Sequence, residues 1–166
     1  MEVLLNLFAL IQAAGAIIGA GGSVVGELAY LGAMHDGRID AAERAHLKLV
    51  AKALRYGMIL LLAGSIGLVV VDYAFDVALQ PALTASYWSE MALALIVIAS
   101  AWALARRKVP FWLGSAAMFS GWWFLAFLCI GRLPALGLGA SLAAFVVITG
   151  IIAALLLYAH HLTRRA

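Results

Sequence analysis

Glu27 is the one acidic residue that lies well inside a predicted membrane span of this sequence. A carboxylate surrounded by hydrocarbon is costly unless it is paired, protonated or hydrated. Arg55, at the start of the next apolar stretch, is its best-placed partner. Two interpretations stay open: Glu27 forms a structural ion pair or a hydrogen-bonded neutral acid, or it handles protons or ions.

Glycines crowd the sequence just before this acid. Gly15 and Gly19, and then Gly22 and Gly26, have the small-xxx-small spacing that lets two helix backbones come close together. Close packing is therefore one prediction. The alternative is local unwinding at Gly21 and Gly22, which would free backbone carbonyl groups to line a cavity, as broken helices do in transporters.

Trp122 and Trp123 lie near the middle of a later apolar stretch, away from any interface. An indole N–H group at that depth needs an acceptor, which Ser115, Ser120, Gln12 or a bound ligand would supply. The rings either pack in the core or wall a ligand pocket. With Glu27, Arg55, Gly21 and Gly22, they complete the predicted ligand or ion pathway.

The residues that usually bind metals give no strong signal. The single cysteine, Cys129, excludes an internal disulfide and a cysteine cage. The four histidines lie at one predicted side of the membrane, so bis-histidine haem inside the bundle is not expected; a surface site from His46 with a terminal histidine is geometrically feasible. We predict no metal site, and the sequence leaves any cofactor unknown.

The segment from Asp36 to Glu43 matches the second half of an EF-hand calcium loop. The first half would place Gly32 and Met34 at liganding positions, and neither has an oxygen in its side chain. A capping box is the better interpretation, in which Asp40 precedes a helix and Glu43 completes the box.

Composition decides which elements must hold these residues. Of 166 residues, 66% are hydrophobic and 11% are charged, and the mean hydropathy is +1.07. Lipid is therefore the main solvent, and we predict a single all-α domain over residues 1–166. Crossing the hydrocarbon takes about 20 apolar residues. Five stretches qualify: Val3–Met34, Ala53–Val71, Ser89–Ala105, Phe111–Gly131 and Leu136–Ala159.

The cations predict how the chain is threaded. Ten of the eleven lysines and arginines fall on one side of the five crossings, whereas Arg132 falls on the other side with Glu2, Asp72, Asp76 and Glu90. The positive-inside rule then predicts an outer N-terminus and a cytoplasmic C-terminus in a cell inner membrane. Because the net charge of +3 comes from these clusters, we expect no nucleic-acid binding.

Residues 44–55 form an amphipathic helix between the first two crossings. Leu47, Val50, Ala51 and Leu54 recur on one face, and basic side chains fall on another. The segment either lies along the inner leaflet or continues the second crossing. In both cases its basic face would meet anionic lipids at the cytoplasmic face.

Two short motifs carry a family resemblance. Ala63-Gly64-Ser65-Ile66-Gly67-Leu68 and Tyr87-Trp88-Ser89-Glu90-Met91 resemble the pattern of small bacterial membrane proteins of the copper-resistance-protein-D-like group. The resemblance implies a helical inner-membrane bundle linked to copper handling. It assigns no site residues, because the sequence lacks intramembrane histidines.

The leading functional hypothesis is transport or permeation of an ion or small solute, by a homo-oligomer or within a larger membrane complex. The alternatives are a cofactor- or quinone-binding accessory subunit and a membrane scaffold. No nucleophile–base pair or phosphate loop suggests an enzyme.

Overall fold

The structure is a computed structural model. It describes residues 2–33, 40–75, 84–131 and 137–163, which form five α-helices. They are α1 (Glu2–Ala33), α2 (Ala41–Ala74), α3 (Ala85–Ala105), α4 (Phe111–Cys129) and α5 (Leu138–Thr163). All five are long and apolar enough to span a membrane. The predicted all-α architecture is confirmed, and the chain is compatible with a multi-pass membrane protein.

Helix α2 begins well before the predicted second span, because a capping box starts the helix at Asp40. The Glu43 N–H group donates to the Asp40 carboxylate at 2.7 Å, and the Asp40 N–H group donates to the Glu43 carboxylate at 2.9 Å. The predicted box is confirmed; Asp36 lies outside the described residues. The amphipathic segment therefore continues the second crossing, one of its two predicted arrangements.

Local backbone chemistry fixes the ends of the shorter helices. Thr84 caps α3 by accepting the Tyr87 N–H group, and α4 begins directly after Pro110, which has no N–H group to leave unpaired. At the other end of α4, Gly131 adopts φ of +68°, a left-handed conformation that glycine reaches without strain. This residue ends the helix by donating its N–H group to the Leu128 carbonyl.

Sequential helices run antiparallel, so the bundle has two ends. We call the end where α1, α3 and α5 begin the amino-terminal end, and the opposite end the carboxy-terminal end. The closest pairing is between α1 and α2: a Cβ at Gly15 would lie 2.4 Å from the Leu61 backbone nitrogen. Helix α4 packs on α1, α3 and α5, whereas α2 and α3 barely touch each other.

The centre of the bundle is apolar, and so is its outside. Leu61, Leu93 and Leu125 are fully buried around Trp122. Large apolar side chains such as Leu95 remain exposed along the helices, which is the surface that lipid would cover.

Candidate functional site

Glu27 and Ser115 meet at one cavity near the carboxy-terminal end. This space, about 280 Å³, is bounded by α1, α2, α4 and the end of α3. Glu27 Oε2 and Ser115 Oγ are both buried there and have no hydrogen-bond partner among the described residues. Such groups are rare inside proteins because an unmade hydrogen bond destabilises the fold, so water, an ion or a ligand could satisfy them. We call this space the Glu27 cavity.

Three aromatic rings line the Glu27 cavity together with several aliphatic side chains. The rings of Tyr30 and Phe111 stack with centroids 4.0 Å apart, and Phe119 lines the same space. The cavity therefore combines an acidic side chain, a hydroxyl group and aromatic faces.

Arg55 does not pair with Glu27. Its side chain is exposed and lines a different cavity. The register between α1 and α2 explains this: a Cβ at Gly26 would lie 3.3 Å from Val50, so Val50 is level with this part of α1. Arg55 lies more than one turn further along α2, about 7 Å away along the axis.

Helix α1 continues without a break through Gly21 and Gly22, so the structure does not contain the unwound segment. Space around Gly21 is open, and a Cβ at Gly22 would lie 3.1 Å from Leu54. The closest contacts occur instead at Gly15 and Gly19, where a Cβ would overlap backbone atoms of α2 and the ring of Trp122 respectively. Close packing is confirmed at those two glycines.

The two central tryptophans point in different directions, since neighbouring helix residues are about 100° apart. Trp122 is 1% exposed, and its ring packs against Gly19. Its Nε1 is buried and has no hydrogen-bond partner among the described residues. Trp123 faces outward beside Phe119 and Phe127. The two indoles therefore do not wall one pocket together.

None of the protein acceptors predicted for the indole N–H group of Trp122 is used. Gln12 donates to Glu90, and Ser120 hydrogen-bonds Thr149 of α5 at 2.7 Å. Ser115 has no partner. A bound ligand is the remaining candidate among those predicted.

Trp122 forms the floor of a larger cleft between α2 and α3. The cleft has a volume of about 600 Å³ and exists because these two helices do not pack along each other. Its walls are almost wholly apolar, and Arg55 is the one charged residue among the described residues that line it. We call it the α2–α3 cleft.

Sequence reasoning missed a polar cluster at the amino-terminal end. Glu90 was assigned to the outer side of the membrane, yet it is 6% exposed and bonds Gln12 of α1 and Ser65 of α2. A signal existed: Gln12 lies ten residues from the start of α1 and Ser65 nine from the end of α2, which gives them matching depths. Glu90, which lies about one turn into α3, is the third residue of this polar cluster.

Metal ligands do not cluster in the part of the chain that the structure describes. No group of three or more histidine, cysteine, aspartate or glutamate side chains there is arranged to hold an ion. His46 and His161 are exposed; His35 lies outside the described residues.

Comparison with family models, curated proteins and solved structures gives no match to this chain. Its function must therefore be argued from the geometry of these sites.

Proposed function

We propose that this protein transports a small organic cation and that the Glu27 cavity is its binding site for the solute. The observation that carries the proposal is the pair of unpartnered buried oxygens, Glu27 Oε2 and Ser115 Oγ, at one cavity. A carboxylate favours a positive charge, and the hydroxyl group offers a second acceptor.

The aromatic walls favour an organic cation over a metal ion. A cation over the face of an aromatic ring gains about 0.5 to 2 kcal/mol, and Tyr30, Phe111 and Phe119 line the cavity. Ca²⁺ and Mg²⁺ instead need a shell of about six or more oxygen ligands. An amine or quaternary ammonium group with an apolar body matches this mixture of one acid and several rings.

The proposal includes the orientation in the membrane. Every lysine and arginine among the described residues lies towards the carboxy-terminal end of the bundle. The positive-inside rule would place that end in the cytoplasm of a cell inner membrane, with anionic lipids against the basic face of α2. The Glu27 cavity would then be reached from the cytoplasmic side.

A flux assay tests the transport proposal. Purified protein in liposomes should take up radiolabelled tetramethylammonium, and Glu27→Gln should remove most of the uptake because the amide carries no charge. Glu2→Gln is the matched control, since it makes the same change at an exposed position on the same helix. Equal uptake by the wild type, Glu27→Gln and empty liposomes would refute the proposal.

The α2–α3 cleft supports a second candidate, a quinone-binding accessory subunit of a larger membrane complex. Trp122, whose buried Nε1 has no partner among the described residues, lines the cleft, and Arg55 provides further donors. Quinone carbonyl oxygens accept hydrogen bonds, and the apolar walls suit an isoprenoid tail. Solvent extraction of protein purified with its lipids should yield stoichiometric quinone; a Soret band in the visible spectrum would indicate haem instead.

Two narrower expectations remain proposals. The resemblance to the copper-resistance-protein-D-like group suggests copper handling, which copper sensitivity of a deletion strain would test. Ser65 and Glu90, which lie in the two motifs behind that resemblance, hydrogen-bond each other. A homo-oligomer or membrane scaffold would appear as a stable higher-mass species on crosslinking in native membranes.

A further inference from the structure

Glu90 is a buried acid that has no cationic partner among the described residues. Its side chain lies between α1, α2 and α4, and it lines a polar cavity of about 190 Å³ near the start of α3. No lysine, arginine or histidine of the described residues lines this cavity. The titratable groups that face it are Tyr87 on α3 and Cys129 on α4. Asp72 is the next along α2, about 10 Å further towards the amino-terminal end.

The hydrogen bonds around Glu90 suit both a charged and a neutral acid. Gln12 Nε2 lies 2.8 Å from each carboxylate oxygen. Ser65 Oγ has two acceptors within reach: Glu90 Oε1 at 2.5 Å and the Leu61 carbonyl oxygen at 2.8 Å. A hydroxyl group has one hydrogen, so it donates to only one of them.

The Ser65 hydrogen therefore has two positions. When Glu90 is ionised, Ser65 donates to the carboxylate. When Glu90 is protonated, the acid donates to Ser65 Oγ, and Ser65 donates to the Leu61 carbonyl oxygen instead. The heavy atoms need not move between these two states, because both use contacts already formed.

The same contacts disfavour a metal cation. N–H and O–H donors from Gln12 and Ser65 point at the carboxylate, and a bound cation would meet their hydrogens. A proton is the positive charge that this arrangement accepts without rebuilding.

Hydroxyl groups connect the cavity to the surface at the amino-terminal end. Thr84 and Ser86 are exposed and line the cavity together with Glu90. Water entering past these side chains would reach the carboxyl group without crossing the packed centre of the bundle.

We propose that Glu90, held by Gln12 and Ser65, is a proton-binding site that exchanges with water at the amino-terminal end of the bundle. This proposal is independent of the organic-cation proposal, since it involves different residues at the opposite end. Transport of tetramethylammonium can fail while Glu90 still binds protons, and the reverse also holds.

Carbodiimide labelling of the wild-type protein tests the site without a mutation. Dicyclohexylcarbodiimide reacts with the protonated carboxyl group in apolar surroundings, so mass spectrometry should find the adduct on the Glu90 peptide. Its rate should fall about tenfold per pH unit once most of the acid is ionised. An absent adduct, or a rate that does not change with pH, would overturn the proposal.

Infrared difference spectra provide the second measurement. Raising the pH should remove an acid carbonyl band and add a carboxylate band in the wild type and in Glu2→Gln. Glu90→Gln should lose the Glu90 share of both changes while the bands of the other acidic residues remain. Ser65→Ala should shift the Glu90 acid band, because it loses the hydroxyl acceptor. If Glu90→Gln retains the full wild-type difference spectrum, Glu90 is not the proton site.

Discussion

Replacing Gly19 with alanine should destabilise the bundle by separating α1 from α4. The added Cβ would lie 1.9 Å from Trp122 Cε3, whereas ordinary contact begins at 3.4 Å. The indole must therefore retreat by about 1.5 Å, and it is 1% exposed within the packed core. Overpacking of this kind costs about 1 to 3 kcal/mol. Alanine regains about 0.5 to 1 kcal/mol through helix propensity.

Because the required shift is large, the upper part of the overpacking range, about 2 to 3 kcal/mol, applies. The net loss for Gly19→Ala should therefore be about 1 to 2.5 kcal/mol, a change of at least roughly fivefold in the folded-to-unfolded ratio. Unfolding by sodium dodecyl sulfate in mixed micelles, followed by circular dichroism, measures it. Gly21→Ala is the matched control, because a Cβ there has no neighbour within 4 Å. Gly15→Ala should lose more than Gly19→Ala, since its obstacle is the backbone of Leu61. Equal stability of the Gly19 and Gly21 variants would refute the packing argument.

Three further predictions concern the ends of the helices and their contacts. Asp40→Ala should lower stability by about 1 kcal/mol in the same titration, because it removes the carboxylate that accepts the Glu43 N–H group. Thr149→Val should cost about 0.6 kcal/mol by breaking the side-chain bond between α5 and α4, and Thr149→Ser should restore it. In a Cys129→Ala background, a cysteine at Glu2 should react with an impermeant maleimide in intact cells, whereas one at His161 should react only after lysis; the opposite pattern would reverse the proposed orientation.

The number of helices was predictable because each crossing needs a long apolar stretch, and this sequence contains five. The start of α2 was harder to place. Hydropathy alone begins that span at Ala53, since charged residues precede it, but the capping box at Asp40 starts the helix twelve residues earlier than that. Local hydrogen bonding decides where this helix begins, whereas lipid decides only which part of it is immersed.

The candidate sites were only partly predictable, because sequence depth does not give the direction of a side chain. Glu27 was identified by its depth, and it lines a cavity. Trp122 and Trp123 share a depth but not a direction. Arg55 was predicted to pair with Glu27 from its depth alone. The register of α1 against α2 instead places Val50 level with this part of α1. Glu90 was missed because it was treated as an interface residue.

The cavities at Glu27 and Glu90 lie in opposite halves of the bundle and are not connected in this conformation. About 22 Å of α1 separates Gln12, the partner of Glu90, from Glu27. Between them Leu61 and Leu93 are 0% exposed and Trp122 is 1% exposed, and the cavities at Glu27 and Glu90 share no lining residue among those described. An open pore would require a gap there. We therefore expect saturable uptake that needs a conformational change at the contact between α1 and Trp122, and stepwise unitary currents in planar bilayers would refute this mechanism.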